Sequence, residues 1–278
     1  MTFKTIFTPV TNAGVAESAL ACAETICAAN DAHLDVLCIG VDRTQTSYFE
    51  AGASAIIIQS AIEEAQKKAN ALEEVVKARL GRTDIRWATR CAVSSMPDAG
   101  LPAARMARFA DLAVVPLPYG EGRGSEDHII TEAMLFNAAV PTLCVPDKAK
   151  DAMPSRVLIA WNESAEALRA VRSALPFLMA AQDVHIAVID PPSHGPDRSD
   201  PGGQLAVMLS RHGVNCDIQV MSRNGQRVGD VLLRSATELG AQMLVMGGYG
   251  HSRFREAVLG GATRYMLENA EIPVLMAH

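Results

Sequence analysis

The residues of this chain whose types and spacing could do chemistry lie in Met246-Gly247-Gly248-Tyr249-Gly250-His251-Ser252-Arg253-Phe254-Arg255 and, shortly after, Leu259-Gly260-Gly261-Ala262-Thr263. Gly247 and Gly250 come directly after an apolar run, and Gly260 and Gly261 open the last helical pattern. The first pair suits a tight turn that bares backbone N–H groups; the second lets a ligand come close to a helix N-terminus. Together they predict an anion cradle at the carboxyl end of a strand. Glycines also make plain turns. What favours the cradle is its context, with a strand before and a helix after in a doubly wound pattern where ligands collect at strand ends. His251, Arg253 and Arg255 could add positive charge there, or form an exposed polar loop.

Other chemistry-bearing residues carry less. The six cysteines, Cys22, Cys27, Cys38, Cys91, Cys144 and Cys216, are scattered among apolar neighbours with no CxxC pair, which predicts small buried hydrophobes in a reducing compartment. His194, near Asp190, Asp197 and Asp200, has no spacing that fixes a tetrahedral metal set, so its Pro/Gly-rich surroundings read as a solvated loop.

The elements that must position the glycine loop repeat along the chain. Thr5 to Val10 is a β-leaning run followed by a helical stretch from Val15 to Ala29; Arg156 to Trp161 is followed by one from Glu166 to Met179. The endings repeat as well. Ala110 to Pro116 resembles Ala241 to Gly247, and Val140 to Val145 matches Ile272 to Ala277 in pattern. Between them the first half predicts a strand at Leu34 to Gly40, a long helix at Ile56 to Leu80, a strand at Ile85 to Ala92 and a helix at Met96 to Phe109. The second half predicts a strand at His185 to Asp190, a helix near Gln204 to His212, a strand at Cys216 to Met221 and a helix at Gly229 to Leu239. Alternating strands and helices with near-continuous apolar strands imply parallel sheets covered on both faces. Similarity at domain-length spacing reads as duplication. Lys148 to Ser155 is polar and aperiodic, which places a linker near Ala152 between domains 1–150 and 151–278.

With 49% hydrophobic residues in 278, the chain can bury sizeable cores. A net charge of -6 argues against nucleic acid as the main partner, because phosphate-backbone binding needs a concentrated basic surface. No apolar run approaches bilayer-spanning length and no signal-peptide pattern precedes Thr5, so a cytoplasmic protein without a membrane partner is expected.

The glycine spacing resembles that of the universal stress protein family, whose ATP-binding members carry G-x2-G-x9-G-[S/T]. Gly247, Gly250 and Gly260 fall on the three glycines with the full spacing, and Leu244-Val245-Met246-Gly247 and Val258-Leu259-Gly260 are also typical. The resemblance covers nearly the whole chain as two family domains, resting in the first half on topology and the terminal strands. It implies an α/β fold of two tandem doubly wound parallel five-stranded sheets. It further implies an adenine-nucleotide site with an acidic position that falls on Asn162, an adenine-side main-chain position on Val188, and phosphate positions on Gly247, Gly250, Gly260 and Gly261. Gly261 departs from the motif's Ser/Thr, which removes a hydroxyl, and Asn162 cannot serve as a carboxylate toward a metal. Trp161 stacks on a ligand or fills the pocket.

The first half departs further. Val115 to His128 has prolines near the first two glycine positions, three acids (Glu121, Glu126, Asp127) that oppose an anion, and Gly120, Gly122 and Gly124 in what reads as a flexible loop with no glycine opening the last helix. That half is expected to lack the usual ATP site. The resulting expectation is a non-catalytic, nucleotide-responsive stress protein that takes ATP or a related adenine nucleotide, with or without magnesium, in its second domain. The alternative is a tandem scaffold for protein or another small ligand. An enzyme of the wider superfamily finds no H-x-G-H or S-G-G-x-D-S pattern and no paired nucleophile and base. The apolar terminal strands would lie at sheet edges, which invite pairing, and the resemblance implies that these edges meet each other, with a homodimer or an unknown protein partner as further assemblies.

Overall fold

The computed structural model describes residues 2–43, 54–149, 152–191, 200–249 and 261–278. The chain divides into two compact units, Phe3–Val140 and Pro141–His278. In the first, β1 (Thr5–Val10), α1 (Glu17–Asn30), β2 (His33–Asp42), α2 (Ser54–Leu80), β3 (Arg86–Ser95), α3 (Gly100–Ala107), β4 (Leu112–Pro116) and α4 (Ser125–Ala133) follow in order. A π-helical turn at Met134–Ala138 continues α4. The strands lie in the order β3-β2-β1-β4 and are parallel, with Ile6 opposite Leu34 on one side and Leu112 on the other.

The second unit begins with β5 (Thr142–Val145) and continues with β6 (Arg156–Trp161), α5 (Ala165–Ala180), β7 (Asp183–Ile189), α6 (Gly203–Arg211), β8 (Cys216–Met221), α7 (Val228–Leu239), β9 (Met243–Gly247), α8 (Ala262–Asn269) and β10 (Val274–Ala277). Its strand order is β5-β10-β9-β6-β7-β8. The five strands β6 to β10 are parallel, while β5 runs antiparallel to β10 with Leu143 opposite Leu275. The two terminal strands therefore meet, as the family resemblance implied.

Burial explains these positions. β4, β5 and β10 are buried along their whole length, and β1 at every residue but its first, as strands covered on both faces must be. β3 and β8, outermost in their sheets, are mostly half-exposed. Phe7, Ile6 and Leu112 in the first unit and Phe177 in the second are fully buried, each contributing roughly 1.5–3 kcal/mol relative to exposure.

Two local outcomes differ from the sequence expectations. The helix expected over Met96 to Phe109 forms only at Gly100–Ala107, after a turn in which the amides of Asp98 and Ala99 bond to Ser95 and Met96 carbonyls. The stretch read as a flexible loop instead ends in α4, and Gly124 is its N-cap. The Asp127 carboxylate accepts from the Gly124 amide, a glycine-capped version of the reciprocal cap, and Ile130, Thr131 and Ala133 supply the buried face. So a glycine does open the last helix of the first half.

Candidate functional site

In both units the strand order reverses at the first strand, between β1 and β4 and between β6 and β9. The crevice outside the carboxyl ends of strands at such a reversal is where open α/β sheets bind ligands. In the second unit, Trp161 stands opposite Val188 and Ala160 opposite Met246. This register sets Asn162, Val188 and Gly247 at the same end of three neighbouring strands.

Gly247 ends β9, and its packing is close. A Cβ there would lie 2.6 Å from the Ala167 amide nitrogen, so only glycine lets the first turn of α5 seat against the strand. That turn is fixed locally. The Asn162 Oδ1 accepts from the Ser164 amide (3.2 Å), and the Ser164 Oγ accepts from the Ala167 amide (3.1 Å) as the N-cap of α5. Glu163 between them is left-handed, with φ 62°. Asn162 is exposed, and its carbonyl oxygen faces its own turn. Val188 is 3% exposed, with Gly202 at the start of α6 packed against it. Trp161 is half-buried at the end of β6.

After β9 the chain spends its first amides internally. The Gly248 amide donates to the Ala277 carbonyl (2.9 Å), and the Tyr249 amide to the Thr263 Oγ1 (3.1 Å). Tyr249 itself is left-handed, with φ 55°. Gly250 and Gly260, with His251, Arg253 and Arg255, lie outside the described residues. Gly261 is the N-cap of α8 (φ -58°, ψ 159°) and, being a glycine, brings no side chain of its own to cap that helix. The hydroxyl missing at Gly261 has a counterpart two residues on, at Thr263, which is 3% exposed. Sequence reasoning passed over Thr263; a threonine just beyond the third glycine was the available signal.

Neighbouring loops are tied by charge. Asp190, left-handed after β7, accepts from the Ser222 hydroxyl and the Arg223 amide (3.1 Å each) and pairs with the Arg223 guanidinium at 2.8 Å. These contacts, the Arg223 amide foremost, hold its carboxyl below the ordinary range. The Tyr265 hydroxyl donates to Asp230, joining α8 to α7, and the Arg227 guanidinium lies 5.6 Å from the Tyr265 ring centre. His194 and Asp197 lie outside the described residues. Among the described residues no group of three or more His, Cys, Asp or Glu side chains could hold a metal, and no helix is long and apolar enough to cross a membrane.

The matching crevice of the first unit is closed from within. Asp127, 8% exposed, accepts from the Gly124 amide (2.8 Å) and the Thr11 hydroxyl (3.1 Å). It therefore lies against the turn after β1. Pro9, Thr11, Val115, Pro116, Asp127 and Thr131 line a cavity of about 10 Å³, roughly the room of one water. The adjacent Glu126 is buried and pairs with Arg43.

Comparison with known proteins agrees with this fold. Residues 153–278 match the sequence model of the Universal stress protein family. A universal stress protein of Synechocystis is 24% identical over 138 residues, a stretch that is 49% of this chain and 47% of that relative, so the chain spans about half its length. The crystal structure of a universal stress protein from Archaeoglobus fulgidus superposes with a TM-score of 0.71 at 15% identity, covering 98% of this chain and 97% of that one. A functionally unknown protein from Pseudomonas aeruginosa superposes with a TM-score of 0.61 at 15% identity, covering 98% and 92%. These likenesses establish the fold over nearly the whole chain.

Proposed function

Since residues 153–278 match the Universal stress protein family model and the chain has the fold of a solved universal stress protein over nearly its whole length, we propose that this half binds an adenine nucleotide, ATP or a relative, at the carboxyl ends of β6, β7 and β9. The observation that carries this reading is the start of α8. A helix N-terminus whose N-cap is a glycine, with no side chain of its own to cap it, sits beside the turn after β9, at the strand reversal, where its amides and dipole favour a phosphate. In the first unit the corresponding helix start is capped by Asp127, which supports assigning ligand binding to the second half alone. In this reading residues 1–150 and 151–278 are the two domains, and Asn162, Val188, Gly247, Gly250, Gly260 and Gly261 surround the nucleotide. Magnesium enters only as a companion of ATP, because Asn162 offers no carboxylate. The protein acts in the cytoplasm as a non-catalytic regulator whose first domain, or a homodimer, presents a surface to a protein partner.

Calorimetry and thermal denaturation with AMP, ADP and ATP, with and without magnesium, test the proposal. A nucleotide at one hundred times its dissociation constant would stabilise the folded chain by about 2.7 kcal/mol. Absence of both heat and thermal shift for all three would refute it.

A second reading is a scaffold that binds no nucleotide. It is favoured by the Gly248 and Tyr249 amides, both engaged within the protein, and by Asn162, whose oxygen is turned to Ser164. Mass spectrometry of the denatured, freshly purified protein separates the two, since a co-purified nucleotide supports the first and an apolar metabolite the second.

A further inference from the structure

We propose that Cys38 and Cys91 form an oxidative modification site in the first unit, where a peroxide converts two thiols into one disulfide that ties β2 to β3. The proposal is independent of the nucleotide reading and concerns the half whose crevice is closed by its own Asp127.

It starts from strand register. Cys38 and Cys91 are direct partners on neighbouring parallel strands. Partners in register turn their side chains to the same face, and such strands run about 4.8 Å apart, inside the roughly 4.4–6.8 Å that a disulfide spans between its Cα atoms. That face lies under α2. The Cys91 thiol donates to the Ala69 carbonyl of α2 at 3.5 Å, and Gly40, two residues beyond Cys38 on the same face, leaves no room for a Cβ against the Ala65 carbonyl. Both cysteines are free thiols in the structure, so joining them asks for side-chain rotation rather than a change of register. Cys144 and Cys216, by contrast, stand opposite Val274 and Val184.

Burial sets the order of events. Cys38 is fully buried, whereas Cys91 is half-buried on β3, the outermost strand of its sheet. Oxidant therefore reaches Cys91 first. Its sulfur attacks one oxygen of hydrogen peroxide and the O–O bond breaks, which leaves Cys91 as a sulfenic acid and releases a water. The Cys38 sulfur then attacks the Cys91 sulfur; the S–OH bond breaks, and the hydroxide leaves with the Cys38 proton as a second water. Two thiols and one peroxide become one disulfide and two waters, with two electrons passed to the peroxide. Burial, and next the Glu73 carboxylate, raise the Cys91 thiol, and burial pushes Cys38 up to about 12. Little thiolate is present at neutral pH, so the pair answers sustained oxidant rather than a brief pulse.

The test treats the full chain with hydrogen peroxide, alkylates the remaining thiols under denaturing conditions and maps unreduced peptides by mass spectrometry. The expected product is a linked Cys38–Cys91 peptide that dithiothreitol removes, with Cys22, Cys27 and Cys144 recovered as alkylated thiols. In Cys38→Ala the linked peptide should be lost, and Cys91 should instead be trapped by dimedone as its sulfenic acid and run on to sulfinic acid. The wild-type arm decides by itself if that variant fails to fold. Sulfinic acid at Cys91 of the wild-type chain without the linked peptide overturns the proposal. So does a link from Cys91 to Cys216 or to a second chain in greater yield, or a Cys91 that stays a thiol while Cys216 is oxidised.

Discussion

The Asp127 carboxylate accepts a hydrogen bond from the Gly124 amide at 2.8 Å, so the last helix of the first unit starts on a charge supplied by the chain itself. At the corresponding helix of the second unit, Gly261 has the same place at the N-cap and supplies no side-chain cap itself. The two halves share an architecture and differ in what completes it. One crevice holds a tethered anion, which also grips the Thr11 hydroxyl, and its free volume is about 10 Å³.

Asp127 makes stability depend on pH in an unusual direction. Burial raises its carboxyl above the ordinary value of 3.8, against the pull of the Gly124 amide and the Thr11 hydroxyl; Glu126 adds to the rise and Arg123 opposes it. The folded chain thus holds this proton more tightly than the unfolded chain, and its contribution to stability is lost as pH rises through an interval that starts near 3.8 and extends upward. Asp127→Asn has no such titration. The melting temperature of that variant minus that of wild type should increase as pH rises through the interval. A difference that stays flat, or shrinks, would contradict the assignment.

Gly247→Ala should destabilise the second unit. The new Cβ would lie 2.6 Å from the Ala167 nitrogen, and this neighbour is backbone, so α5 must shift. A cost of roughly 1–3 kcal/mol is expected, read from the midpoint of guanidinium unfolding. An unchanged midpoint would show that the α5 contact is loose.

Ser164→Ala removes the N-cap of α5 and should cost about 1 kcal/mol by urea unfolding. Ser164→Thr, which keeps an oxygen in place, should recover most of it. Equal losses in both would place the role of Ser164 elsewhere.

Thiol reactivity should follow burial. Cys22, Cys27, Cys38 and Cys144 have their thiols pushed up to about 12, chiefly by burial, and stay protonated at neutral pH. Cys91 and Cys216 are half-buried. Native alkylation followed by peptide mass spectrometry should label Cys91 and Cys216 first. Labelling of Cys144 at the same rate would show that β5 opens readily.

Much of this was legible in the chain. The strands β1 and β6 fall on the predicted runs, because parallel strands covered on both faces are near-continuously apolar or β-branched over a short span. That β5 and β10 each needed a neighbour was legible in their apolar pattern, while their meeting each other came from the family resemblance. α4 was not, because its helix signal lies in a cap made by Asp127 reaching back to a glycine, in a stretch whose glycines suggested a loop. The site itself was half legible. Gly247, Asn162 and Val188 do reach one end of neighbouring strands, but the role of Gly247 as the seat of α5 is invisible in a spacing.

The sequence alone determined the duplicated α/β architecture, the position of the glycine turn and the expectation that the first half had lost its copy. Those are local matters of periodicity, backbone freedom and missing N–H groups. The tertiary structure decided which donors of the turn after β9 are spent: Tyr249 on Thr263 and Gly248 on Ala277. Hydrogen bonds between residues 14 to 29 positions apart, and the Thr11–Asp127 bond across 116, are set by how strands and helices pack, and no pattern along the chain encodes a distance in space.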